Sequence, residues 1–293
     1  MVSVVIINYN TFKITCDCIA SVLQHTRNSD YEIVLVDNAS PTDNPDEFLK
    51  LFPRIKLVKS TENGGFAKGN NMGIAAAKGD VILLLNSDTV LTEDSISLAL
   101  AELKRHEPIG PLGVRLVYPD GKLQHTARRF RSIRNELLDL ARPLLKLLPY
   151  EKRSEMMLNQ YFRGDRNTWC DWVSGAFFMF HRQILDKMPG NKLDERYFMY
   201  GEDQLWCLQA QQLGYPGYYY AGTTVTHIHA ASTAPAKQLQ LLKKFLALEL
   251  DIMAIRKGKT LYYYLFSAIL TFKEMMRYYI KVFALKVLGK NIR

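Results

Sequence analysis

Residues 80–88 read DVILLLNSD: five apolar residues, Val81 to Leu85, run directly into Asn86, Ser87 and Asp88. An unbroken apolar run this short, bounded by Gly79 and a polar end, reads as a strand buried on both faces. Its carboxylate end either marks a turn or awaits a ligand. Working outward, VSVVIINYN (2–10), YEIVLVDNAS (31–40) and IKLVKS (55–60) repeat the pattern. Between them, residues 11–27, FLKLF (48–52), NGGFAKGNNMGIAAAKG (63–79) and EDSISLALAELKRH (93–106) read as helices. Strands alternating with helices predict a Rossmann-like, mostly parallel sheet with helices on both faces, an α/β fold. Ligands of such sheets bind beyond the carboxyl ends of the strands. Asn8 and Asn10, Asp37 and Asn38, and Asn86 and Asp88 are expected to meet there.

After residue 110 the pattern loosens. GVRLVYPDGKLQHTA predicts a hairpin about Pro119-Asp120-Gly121, and 128–166, rich in Arg and Leu, a helical insertion. WCDWVSGAFFMFHR (169–182) predicts one strand. LDERYFMYGEDQLWCLQAQQLG (193–214) predicts a loop entering a helix, and YPGYYYAGTTVTHIHAAS (215–232) a strand reaching two histidines. The expected division is 1–110 and 111–235 as two halves of one domain, and 236–293 as a basic amphipathic helical tail.

The net charge is +9, and all of it lies at one end. Residues 237–293 carry 12 Lys/Arg against 3 Asp/Glu, while 1–236 carry 26 of each sign. A basic tail on a neutral body points to an anionic surface. No recognised nucleic-acid module accompanies it, so no nucleic-acid partner is expected. The four cysteines form no CxxC pair and read as reduced thiols. MVSVVIINYN lacks the basic region and apolar core of a signal peptide. No stretch approaches the ~18 apolar residues that span a bilayer.

Several residue types suit site chemistry, each with a plainer alternative. The loop with Asn63, Gly64, Gly65, Gly69 and Asn70 is neither GxGxxG nor a P-loop. It is a turn, or a backbone surface that a ligand can approach closely. Asp37 caps the turn after its strand or accepts a hydrogen bond from a nucleobase N–H. Asp88 caps the next helix, a task Thr92 suits better, or binds Mg²⁺ or Mn²⁺. Asn86 shares its face. Glu202 and Asp203 complement a helix dipole, or one is a general base. His227 and His229 are structural, or contact metal or phosphate.

In order, VSVVIINYN, VDNAS, NGGFAKGNN, LLLNSD, VSGAFFMFHR, DERYFMYGEDQLWC and VTHIHAAST resemble the family 2 inverting glycosyltransferases, especially a rhamnosyltransferase-like branch that builds bacterial surface polysaccharide. The resemblance covers about 1–235 and implies that 1–110 is the nucleotide-sugar-binding half and 111–235 the acceptor/catalytic half of the same domain. It implies a glycosyltransferase A-type fold, a dTDP- or UDP-sugar donor, and Mg²⁺ or Mn²⁺. It implies that Asn8, Tyr9 and Asn10 line the nucleoside pocket and that Asp37 holds the base. Asn63, Gly65, Lys68 and Asn70 fall beside ribose and diphosphate. Asn86-Ser87-Asp88 takes the place of the family's Asp-x-Asp, with Asp88 on the metal. His227 or His229 makes a second metal or diphosphate contact. Ser174, Gly175 and Tyr200 lie on the acceptor and sugar side, with Asp203 as base beside Glu202. The implied reaction moves a sugar, rhamnose from dTDP-rhamnose by preference, to a glycan or polyprenyl-linked acceptor. The alternative is a non-catalytic nucleotide- or glycan-binding protein with a decayed site. Aromatics interleaved with lysines in the tail suit a membrane interface, and packing or a homodimer contact is the plainer reading. The expected location is cytoplasmic and peripheral on the inner face of the plasma membrane.

Overall fold

The computed structural model describes residues 1–228 and 238–288. Its apolar runs pair side by side. β1 (Val2–Asn8), β2 (Tyr31–Asp37), β3 (Lys56–Lys59) and β4 (Val81–Asn86) form a parallel block in the order β3-β2-β1-β4. Asn8 lies opposite Asp37, and Ile7 opposite Asn86. The polar ends therefore align along one edge. The remaining strands are β5 (Thr89–Leu91), β6 (Leu112–Val117), β7 (Leu123–Gln124), β8 (Thr168–Cys170), β9 (Phe177–His181) and β10 (Gly217–His227). The sheet continues β4-β9-β6-β10-β5, with β9 antiparallel to both neighbours and β6 parallel to β10. Two antiparallel reversals return β6 and β10 to the direction of β4. The end of β10 and the start of β9 thus reach the same polar edge.

Unbroken apolar runs are needed because both faces are covered. Val2, Val4 and Ile6 pack with α1 (Phe12–His25), α2 (Asp46–Leu51) and α4 (Ser95–Arg105) through Ile19, Val22, Phe48, Ile96 and Leu103. Val5 and Val34 face the other way. They join α3 (Gly65–Ala76) and α9 (Glu202–Gln212) through Ala67, Ile74, Trp206 and Cys207. Close approach of α3 to the sheet requires Gly73, where a Cβ would overlap the Val5 side chain.

Three local expectations change. Residues 169–182 are not one strand: β8 and β9 pair with different neighbours, and 171–176 between them form a loop at the polar edge. The N-cap of α4 is Asp94, which accepts from the Ser97 amide at 3.3 Å, rather than Thr92. Residues 89–91 after Asp88 form the short edge strand β5. The four cysteines are free thiols.

Residues 130–157 form a second compact unit with the described part of the C-terminal segment. It holds α5 (Ile133–Leu140), α6 (Arg142–Leu145), α7 (Tyr150–Met156), α10 (Gln238–Lys257) and α11 (Leu261–Leu288), whereas α8 (Leu158–Tyr161) belongs to the first. The expected insertion and tail therefore share a core, through Leu246, Met253, Phe266 and Leu270 with Ile133 against them. Buried ion pairs cross it: Lys273 Nζ lies 2.5 Å from Asp139 and contacts Glu136, and Arg131 meets Glu274 at 3.1 Å. Among the described residues no helix is long and apolar enough to cross a membrane.

Candidate active site

The polar edge carries most of the residues singled out above, but in roles that their neighbours decide. Asn8 is fully buried. Its Nδ2 donates to Asp37 Oδ1 (2.9 Å) and Ser40 Oγ (3.1 Å), and its Oδ1 accepts from Thr11 and Thr15. Every polar group of that side chain has a protein partner, so Asn8 positions Asp37 rather than lining an open pocket. Asp37 also accepts from the Ser40 hydroxyl (2.6 Å) and amide (3.1 Å). Its turn-capping role is thus realised. Asn10 has φ +52°, a conformation asparagine tolerates, and its Oδ1 accepts from Thr42. Tyr9, between them, is exposed.

The Gly-rich loop is held from within. Asn63 Oδ1 accepts from Asn38 Nδ2 (2.9 Å) and the Gly65 amide (3.0 Å). Gly65 has φ +82°, and a Cβ there would overlap the Phe198 carbonyl oxygen. The protein backbone alone already requires glycine here. Lys68 pairs with Glu62 on the surface. Asn70 is buried and donates to the Phe66 carbonyl at 2.9 Å, and its Oδ1 has no hydrogen-bond partner among the described residues.

Beyond β4, the turn Ser87-Asp88 brings a carboxylate to the end of β10. Asp88 Oδ1 lies 3.2 Å from His227 Nε2, and Asn86 Nδ2 lies 3.4 Å from the same nitrogen. Gln124 sets the tautomer. Its Nε2 donates to the His227 carbonyl at 2.7 Å, so its Oε1 is the acceptor 2.7 Å from Nδ1, and Nδ1 carries the proton. The Nε2 lone pair then points toward a carboxylate oxygen, which is unfavourable unless a cation or proton bridges them. Adjacent ligands on an octahedral ion with bonds of about 2.1 Å stand about 3 Å apart, so the pair fits one Mg²⁺ or Mn²⁺ completed by water and phosphate oxygens. An imidazole fixed through its far nitrogen is the usual setting of a metal ligand. His229 lies outside the described residues. The cluster Glu136, Asp139 and Glu274 also gathers acidic groups, but Lys273 and Arg277 already neutralise it.

Across the edge, α9 begins after Tyr200 and Gly201, both left-handed at φ +72° and +93°. A bulky residue at positive φ is strained and marks an over-determined site. Phe198, Met199 and Tyr200 are exposed there. Asp203 Oδ2 accepts from the Gly175 amide (3.0 Å) and Oδ1 from the Gln204 amide (2.8 Å). Ser174 Oγ accepts from the Ala176 amide at 3.3 Å. Burial holds the Asp203 carboxyl above its ordinary range, while the two amides and the Arg128 charge pull the other way. Glu202 is 7% exposed, and its Oε2 has no hydrogen-bond partner among the described residues. Burial, then the Asp203 charge, pushes it up to about 8. Both carboxyls of the pair are thus raised, and the two amide donors favour the charged form at Asp203 rather than at Glu202.

Gln124 escaped sequence reading, since nothing near it marks a ligand-orienting residue and its partner is 103 positions away. Arg128 is in the same position: its guanidinium acts on Asp203 and stacks 4.9 Å over Trp172.

Residues 3–188 match the profile of Glycosyl transferase family 2. The glycosyltransferase GlyG of Streptococcus pneumoniae is 33% identical over 111 residues, 36% of each chain. The N-acetylglucosaminyl-diphospho-decaprenol L-rhamnosyltransferase of Mycobacterium tuberculosis is 26% identical over 225 residues, 71% of this chain and 70% of that one. This chain thus spans about a third of the first relative and over two thirds of the second. A mannosyltransferase from Pyrobaculum calidifontis, in complex with GDP-Man and Mn²⁺, shares the fold at TM-score 0.59 and 16% identity, over 93% of this chain and 68% of that one. With its glycosyltransferase A-type sheet and a family match over residues 3–188, the chain belongs to glycosyltransferase family 2.

Proposed function

We propose that the protein is a metal-dependent inverting glycosyltransferase of surface polysaccharide synthesis. It moves a sugar from a nucleoside diphosphate to a hydroxyl of a glycan or polyprenyl-linked glycan. The observation that carries this reading is the facing pair Asp88–His227, held by Gln124, on the sheet edge that also bears Asp203. Rhamnose from dTDP-rhamnose is the preferred donor, supported by the likeness to the L-rhamnosyltransferase of M. tuberculosis. UDP-sugars are the other candidates.

Asp88 Oδ1 and His227 Nε2 would hold Mg²⁺ or Mn²⁺. The ion, when bound, offsets negative charge on the leaving diphosphate. The protein's own groups do the rest. The Asp203 carboxylate accepts the proton of the attacking hydroxyl, and two backbone amides keep it aimed. The same amides favour negative charge on Asp203 rather than on Glu202. Exposed Phe198, Met199 and Tyr200 offer an apolar and aromatic surface to the acceptor. Asp37 and Asn10, braced through Ser40 and Thr42, shape the nucleoside side.

The test is hydrolysis or transfer with a panel of nucleotide sugars and Mn²⁺. Wild-type protein should turn over one donor, and Asp203→Asn should lose about 10²–10⁴-fold of that rate with nucleotide affinity retained. Full activity in Asp203→Asn would remove it as the base. Asn86, where the family's motif carries aspartate, favours the second reading of a decayed binding protein. Tight nucleotide binding without any turnover by the wild type would establish that alternative.

A further inference from the structure

α11 buries Lys273 beside Phe266 and Leu270 on its inward side and leaves a row of apolar side chains exposed on its outward side. Lys273 is 1% exposed and sits among Glu136, Asp139 and Glu274, and Arg277 reaches Asp139 at 2.6 Å. On the opposite side Leu261, Leu265, Phe272, Met276, Tyr279 and Phe283 are exposed, Phe272 by 71% and Phe283 by 64%. Ala268, also exposed, fills the remaining gap. The average step along this series is close to the helical repeat, so these residues make one straight ridge roughly 33 Å long. A helix on an ordinary solvent-facing surface is polar on its outward side, and a continuous exposed apolar strip there marks an interaction surface.

We propose that this ridge docks into the headgroup–acyl boundary of an anionic lipid bilayer. Three observations select that occupant. A strip one helix wide, roughly 10 Å by 33 Å, offers far less than the about 800 Å² per partner of a stable protein interface, whereas a surface-lying helix needs only its apolar face. Residues 237–293 hold 12 Lys/Arg against 3 Asp/Glu, which repels a second copy and attracts anionic headgroups. The ridge and its flank mix Phe272 and Phe283 with Tyr264 and Tyr279, rings whose apolar body and polar tip match a wet interface. The contact lies wholly within the second unit and does not depend on the transfer chemistry.

The experiment is co-sedimentation of the full chain with phosphatidylcholine vesicles, with and without about one-third phosphatidylglycerol. The variant is Phe272→Ser/Phe283→Ser, both side chains being exposed, with its melting temperature checked against wild type. Wild type should pellet with the anionic vesicles and less with neutral ones. The variant should lose at least about tenfold in partition, because two rings leave the acyl boundary. Failure of wild type to bind anionic vesicles, or equal binding by the variant, overturns the proposal. So does a wild-type dimer in solution that the variant converts to monomer, which would make a second copy the occupant.

Discussion

Glu202→Gln tests the charge distribution at the candidate base. The variant keeps the shape of a side chain that is 7% exposed and removes its ability to ionise. In the folded protein the carboxyl is raised from an ordinary value near 4.5 to about 8. The sign follows from linkage. The native state holds this proton more tightly than the unfolded chain, so stability is full below pH 4.5 and falls as pH rises toward 8. Each pH unit inside that window is worth about 1.4 kcal/mol for one group. At pH 7 the wild-type carboxyl therefore costs on the order of 3 kcal/mol that glutamine does not. His125 and His181, lowered mainly by burial, act in the opposite sense near pH 6 but are common to both proteins and cancel in the difference. Urea unfolding at pH 5, 6, 7 and 8 is the assay. The stability difference should grow with pH, in favour of the variant. A difference flat across the series would show that Glu202 is ionised in the folded state and that the pair shares its charge differently.

Three further outcomes follow from the same geometry. Gln124→Leu should weaken metal-dependent nucleotide binding about 10–100-fold while leaving metal-free binding unchanged, read by calorimetry with Mn²⁺ and with chelator; equal loss in both would place Gln124 in the fold alone. Gly65→Ala combines a left-handed backbone with overlap on the Phe198 carbonyl, and should cost about 1–3 kcal/mol and loosen 198–203, read as lower unfolding stability and faster amide exchange there. Lys273→Met removes the buried cation between Glu136 and Asp139 and should cost about 3–5 kcal/mol, measured by denaturant unfolding; a loss under about 1 kcal/mol would mean that Arg131 and Arg277 suffice.

The sequence by itself determined the alternation of buried strands and helices, because a period and a run length are local properties. It also determined that polar residues gather where β1, β2 and β4 end, since parallel strands must finish on the same edge. The basic tail was legible for the same reason: charge is counted, not folded. What only the tertiary structure decided is which partner each polar group finds. Asn8 and Asn10 look alike in Asn-Tyr-Asn, yet one is sealed under Asp37 and the other braces Thr42. Gly65 answers to Phe198, Gln124 to His227, and Lys273 to a segment over 130 residues earlier. The surroundings of each acid at Glu202-Asp203 are of the same kind. Burial and two amide donors separate carboxyls that the sequence presents as equals. A buried polar group must be satisfied by whatever the closed chain brings beside it, and that neighbour is set by long-range packing rather than by local pattern.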